Sequence, residues 1–201
     1  MKNTEDIQFV DKIIGALRKT ATELEEFRVQ TALGKAEAQD KYEEIKKKFN
    51  LFIHESEHKV KGAKEKMDDL NTKFDKLRVQ LALGKAETKE AFKKQKKQLL
   101  LILHDIEVKI KTNDALNRIY ALTLIQIEQF KIQLEILEER FNKEKEEAKD
   151  TFEKGKKDFN NFIDKIKEKY GKKKVEETKL EHFQNEISEA FHHFKKAFSK
   201  P

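Results

Sequence analysis

The chain contains no cysteine and no tryptophan, only two methionines, and a single proline, at the terminal position Pro201. Without cysteine it can form no disulfide and has no thiol chemistry. With no internal proline and six glycines in 201 residues, it lacks the punctuation that separates strands and turns in mixed folds. Its longest wholly apolar run, Leu99 to Leu103, is far short of the ~20 residues needed to cross a bilayer. The amino-terminal stretch has no uninterrupted apolar core of the secretory type, so a soluble, cytoplasmic protein is expected.

What the chain does have is charge. Charged residues make up 41% and hydrophobic ones 37%. The abundant Ala, Glu, Lys, Leu and Gln favour helix, and the composition is that of long helices or a coiled coil. Fifteen phenylalanines and regularly spaced Ile and Leu argue against disorder. The net charge of +6 comes from 44 positive and 38 negative groups, which points to interspersed pairing rather than to a polyanionic partner.

An internal repeat organises the sequence. RVQTALGKAEA at 28–38 recurs as RVQLALGKAET at 78–88, with nine of eleven positions identical at an offset of 50. AQDKYEEIKKKFNLFIH at 38–54 lies over TKEAFKKQKKQLLLILH at 88–104. A third copy, AKDTFEKGKKDFNNFID at 148–164, lies at an offset of 110 from the first. Repeats of this size are copies of one supersecondary unit. Helix-ending chemistry falls in register at Lys61-Gly62, at Lys111-Thr112 with Asn113-Asp114, and at Gly171-Lys172.

The predicted fold is therefore all-α, a single helical domain over 1–201. It is an elongated antiparallel bundle or coiled coil of three long helices at about 5–60, 63–111 and 114–170, with a shorter one at about 174–199. The repeat units are about 5–61, 62–111 and 112–171, followed by 172–201. Seam residues recur at steps of three and four, as in Leu70, Phe74, Leu77, Leu81, Gly84, Thr88, Phe92, Gln95, Leu99, Ile102, Ile106 and Ile110. Helices of ~50 residues would be ~75 Å long. The layout resembles the three-helix rods of spectrin-like and BAR-like proteins, a likeness of architecture that assigns no function.

Gly34 and Gly84 stand at matching positions and suggest two alternatives, turns that would split each helix into a hairpin or continuous helix. Because the third copy has Glu144 there, a good helix former, continuous helix is favoured. The glycines would then mark either close helix contact or a bend.

Two groups of residues are candidates for association. Leu99, Leu100, Leu101, Ile102 and Leu103 are apolar all round one turn, and Leu122, Ile125, Ile132 and Ile136 add a second stripe to the third helix. Two-sided burial means either a central place in the bundle or a self-association surface, with a homodimer favoured. The basic clusters Lys46-Lys47-Lys48, Lys93-Lys94 with Lys96-Lys97, Lys156-Lys157 and Lys172-Lys173-Lys174 are candidate contacts for an anionic surface. In an antiparallel rod the first and third of these would share one end and the second would lie at the other.

His54 to His58 reads HESEH, the zincin pattern in which two histidines one turn apart share a metal. The other copies have His104, Asp105 and Val108, or Asp164, Lys165 and Glu168, in these places, so the ligand set does not recur. A zincin also needs a third ligand and a cleft. His54 and His58 are expected to be solvated surface, and neither metal nor cofactor is expected. Glu55 with His58, and Glu189 with His192, fit the Glu-x-x-His element of di-iron bundles, but Glu55 and Glu189 fall outside the apolar stripes. The expected function is that of a non-enzymatic scaffold or interaction protein. Peripheral membrane binding is the alternative, with nonspecific nucleic-acid binding and a metal-binding bundle as minor ones.

Overall fold

A computed structural model of the chain describes residues 2–32, 35–61, 68–111, 117–142, 147–170 and 177–196. These residues form seven α-helices: α1 (Lys2–Thr31), α2 (Lys35–Lys61), α3 (Asp68–Leu81), α4 (Lys89–Lys111), α5 (Asn117–Asn142), α6 (Glu147–Tyr170) and α7 (Glu177–Lys196). No strand occurs among the described residues, as expected for an all-α fold.

The expected helix ends at Lys61 and Lys111 are observed, and the third long helix ends at Tyr170, next to the predicted Gly171. The three long helices are not. The helix predicted over 63–111 stops at Leu81 and resumes at Lys89, and those over 5–60 and 114–170 are divided at Thr31/Lys35 and Asn142/Glu147. Each predicted long helix is thus two antiparallel arms. The longest arm, α1, has 30 residues and spans ~45 Å rather than ~75 Å, so the likeness to three-helix rods does not hold.

Local chemistry accounts for the interruption at 82–88. The Oγ1 of Thr88 accepts from the amide of Ala91 at 3.1 Å, capping the start of α4. The matching residue in the first copy is Ala38, which cannot cap and is fully buried inside α2. Gly84 lies in the loop with open space beside it, so it is neither a seam residue nor a close-packing site. Gly34 lies outside the described residues.

Inter-helix pairs fix the directions. Lys73 with Asp105 and Lys109 with Asp69 make α3 and α4 antiparallel. Lys96 with Glu135 and Lys131 with Glu107 do so for α4 and α5, and Arg18 with Asp164 and Arg28 with Glu153 for α1 and α6. Thr20 meets Gln129, and Arg28 lies near Arg140, so α1 runs parallel to α5. Glu57 with Arg78 and Lys46 with the carbonyl of Leu83 set α2 against α3, and Lys169 with Glu186 and Phe159 beside Phe191 set α6 against α7, so α2, α4 and α6 run one way and the remaining helices the other.

Helix α5 is the hub. It packs against α1, α2, α4 and α7, while α3 bridges α2 and α4, and α6 bridges α1 and α7. Two four-helix groups, α2–α3–α4–α5 and α1–α5–α6–α7, share this one helix. Its extra apolar stripe therefore serves two cores: Leu124, Ile125, Ile127, Phe130, Ile132, Leu134, Ile136 and Leu137 are all buried. Phe130 stacks on Phe49 of α2 at 4.2 Å between centroids, and Phe141 stacks on Phe92 of α4 at 4.7 Å. Aromatic pairs of this kind add to the burial of their area.

This corrects the self-association list. Leu99, Leu103, Ile125, Ile132 and Ile136 are enclosed in the chain's own core, and Leu100 and Ile102 pack partly against it. Of those nine residues, Leu101, 54% exposed, and Leu122, 38% exposed, are the two that offer substantial apolar surface.

Candidate functional site

The lysine clusters divide into inward and outward members. On α2 the buried residues Tyr42, Phe49 and Ile53 continue at helical spacing through Lys46, whose side chain is 1% exposed. Its ammonium donates to the carbonyl of Leu83 at 2.5 Å and to that of Gly84 at 3.5 Å. It also pairs with Glu43 at 2.7 Å and lies 4.6 Å from the centre of the Tyr42 ring. Gln39, which donates to the carbonyl of Ala86, and Asp40, which pairs with Lys85, hold the same loop. The Tyr42 hydroxyl donates to Gln95, which in turn donates to Gly84. Burial, with the nearby Glu43 adding to it, pushes the Tyr42 hydroxyl well above the usual phenol range.

Lys96 occupies the matching place on α4, between buried Phe92 and Leu99. Its ammonium pairs with Glu135 of α5 at 2.6 Å and with Glu138. Lys156, the third member of the set, pairs with Glu25 of α1 at 2.6 Å. Lys48 pairs with Glu44, whose carboxyl is held below its usual range by hydrogen bonds from Lys41 and Lys48. Lys93 lies 4.0 Å from Glu138. Lys47, Lys94, Lys97 and Lys157 are exposed, and Lys172, Lys173 and Lys174 lie outside the described residues. Lys96 and Lys156 meet Glu135 and Glu25, which lie level on the parallel helices α5 and α1, and Lys48 borders one groove with Gln133, so the three described clusters sit at one level of the bundle. They are not divided between two ends, as a rod of long helices would require.

The HESEH stretch faces α3. The guanidinium of Arg78 pairs with Glu57 and lies 3.2 Å from Asp75 and 3.3 Å from Nδ1 of His54. A guanidinium only donates, so Nδ1 must accept, which leaves the ring proton on Nε2. The side chain of His58 lies outside the described residues. No group of three or more His, Cys, Asp or Glu is placed to hold a metal among the described residues.

A second cluster, absent from the sequence reading, joins α4 and α5. Lys131 donates to Glu107 at 2.6 Å and to Glu128 at 2.9 Å. Burial holds the Glu107 carboxyl above its usual range, against the pull of Lys131. Burial also works against the charge of Lys131, but Glu128 and Glu107 outweigh it and hold the ammonium above its usual range. Glu128 and Lys131 meet Ser188, Glu189 and His192 of α7 around a shallow cavity of about 330 Å³. The di-iron pair Glu189 and His192 thus faces a cluster whose cation is a lysine.

A groove of about 320 Å³ lies between α1, α2 and α5. Its floor is closed by the Phe49–Phe130 stack, and its walls carry Gln126, Gln129 and Gln133. Gln129 accepts from the Thr20 hydroxyl at 3.3 Å and donates to Glu23 at 2.6 Å.

No family model, curated protein or solved structure matches this chain.

The site residues therefore speak through their own contacts. Lys46, Lys96, Lys131 and Arg78 tie helices together. The signal for two of them is in the sequence, since Lys46 and Lys96 stand at seam spacing between aromatic and aliphatic residues. Lys131 and Arg78 each have a local partner three residues back, Glu128 and Asp75, but the partners that tie them to another helix, Glu107 and Glu57, are distant in sequence. No described helix is long and apolar enough to cross a membrane.

Proposed function

We propose that this protein is a non-enzymatic scaffold, a bundle of repeated helical hairpins that associates with itself and presents charged faces to a protein partner, with the cytoplasm as its setting. The observation that carries this reading is the use of Lys46, Lys96 and Lys156. Standing at one repeat position, each reaches across to another element: Lys46 to the loop after α3, Lys96 to α5 and Lys156 to α1. The groups best suited to chemistry are committed to joining helices, which favours a structural part for them. Size exclusion coupled to light scattering tests the self-association. A mass that is a multiple of the 23.8 kDa chain supports it, and a single-chain mass at every concentration overturns it.

A second reading is peripheral membrane binding, favoured by the exposed lysines Lys47, Lys94, Lys97 and Lys157 at one level of the bundle. Flotation with anionic liposomes at physiological salt separates the two. Equal binding to neutral liposomes, or none to either, removes the electrostatic version.

A further inference from the structure

Two joints between hairpins are the same joint. Where α4 meets α5, Lys96 pairs with Glu135 and Lys93 lies against Glu138. Where α6 meets α1, Lys156 pairs with Glu25 and Glu153 lies against Arg28. Positions 96 and 93 become 156 and 153 by the repeat offset of 60, and 135 and 138 become 25 and 28 by the offset of 110. The first pair keeps its charges and the second reverses them, so both remain attractive. The α2–α3 joint differs, with Arg78 meeting Glu57 and Lys46 meeting the carbonyl of Leu83.

The α4–α5 joint connects neighbours in the chain. The α6–α1 joint closes the molecule by bringing its first helix onto its sixth. The same contact thus forms over a short connection and over more than 100 residues, so it does not depend on the connection. α1 packs mainly on α5 and α6, elements remote in sequence, and only lightly on its own neighbour α2. A second copy offers α1 an identical α5 and α6, and exchange of an identical element is a low-cost route to a dimer.

We propose that two copies of the chain associate by exchanging α1 across the α1–α6 joint. This rests on the scaffold reading and supplies its geometry.

Two charge-reversed chains test it. R18D/E25K reverses the α1 side of the joint, and K156E/D164R reverses the α6 side. Within either chain like charges face each other, whereas an exchanged pair of the two restores every attraction. The chains are unfolded together in urea, refolded and weighed by native mass spectrometry. The 1:1 heterodimer is expected in roughly tenfold excess or more over either homodimer. The chain carrying all four changes is expected to regain the wild-type unfolding midpoint.

Absence of heterodimer preference, while the fourfold chain regains that midpoint, overturns the exchange. Failure of the fourfold chain to regain it also overturns the exchange, because the paired charges then do not make the joint. The scaffold reading is judged separately by the wild-type mass. A wild-type oligomer without heterodimer preference leaves that reading standing on another surface. A wild-type monomer at every concentration overturns both.

Discussion

The ammonium of Lys46 lies 2.5 Å from the carbonyl oxygen of Leu83, joining the interior of α2 to the loop that follows α3. Loop carbonyls buried against a neighbouring helix need a donor, and this ammonium supplies one.

Lys46→Met keeps much of the apolar stem and removes the charge. A hydrogen bond to a charged group contributes about 1.5–3 kcal/mol, so a loss of about that size in urea unfolding is expected. Amide exchange at 82–88 should rise with it. Unchanged exchange in that loop would show that Lys46 does not hold it.

Lys131→Met should be more damaging, by about 3–5 kcal/mol, because it leaves Glu107 and Glu128 facing each other with no cation between them. Equilibrium unfolding measures this, and a loss under ~1 kcal/mol would contradict the triad.

The same cluster has a pH signature. Because the folded state holds the Glu107 carboxyl above its usual range, it binds that proton more tightly than the unfolded chain does. This contribution favours folding at acidic pH and is lost as pH rises from the ordinary carboxylate range through the raised folded value. Glu107→Gln should therefore flatten that part of the stability profile, read from thermal melts between pH 4 and 8. Parallel profiles for the two proteins would count against it.

Leu99 and Leu101 are two positions apart and should differ sharply. Leu99→Ala opens the core and is expected to cost about 2–5 kcal/mol. Leu101→Ser, at a 54% exposed site, should stay within ~0.5 kcal/mol. Similar losses for both would mean that Leu101 is covered by something other than this chain's own core.

Arg78→Ala should cost about 1–3 kcal/mol by removing the guanidinium that pairs with buried Glu57. His54→Ala should change zinc uptake in equilibrium dialysis not at all. A drop in bound zinc on removing His54 would restore the metal reading of HESEH.

The sequence made the helical class legible because apolar residues recur at steps of three and four over nearly the whole chain. It also placed the ends of α2 and α4, where stop chemistry recurs in register. The interruption at 82–88 was harder to see, because the spacing of apolar residues runs straight through it and Glu144 spoke for helix in the third copy. What fixes that loop comes from elsewhere, namely the ammonium of Lys46 and the amide of Gln39. Lys46 and Lys47 are neighbours in one basic run, yet one is buried and the other exposed. A charge cluster reads as a surface only until each residue is assigned to a helix face. The second apolar stripe of α5 was legible as two-sided burial, but whether a partner or the chain itself covers it depends on α7 and α1, distant in sequence.

Sharing α5 between two four-helix groups also sets an order in time. During synthesis, α2, α3 and α4 leave the ribosome before the helix that completes their core exists, and α1 waits for both α5 and α6. A chain ended at Lys111 would leave Phe49 and Phe92 without the rings of Phe130 and Phe141. The nascent amino-terminal half is thus the stage at which the protein is most exposed to aggregation and most dependent on chaperones.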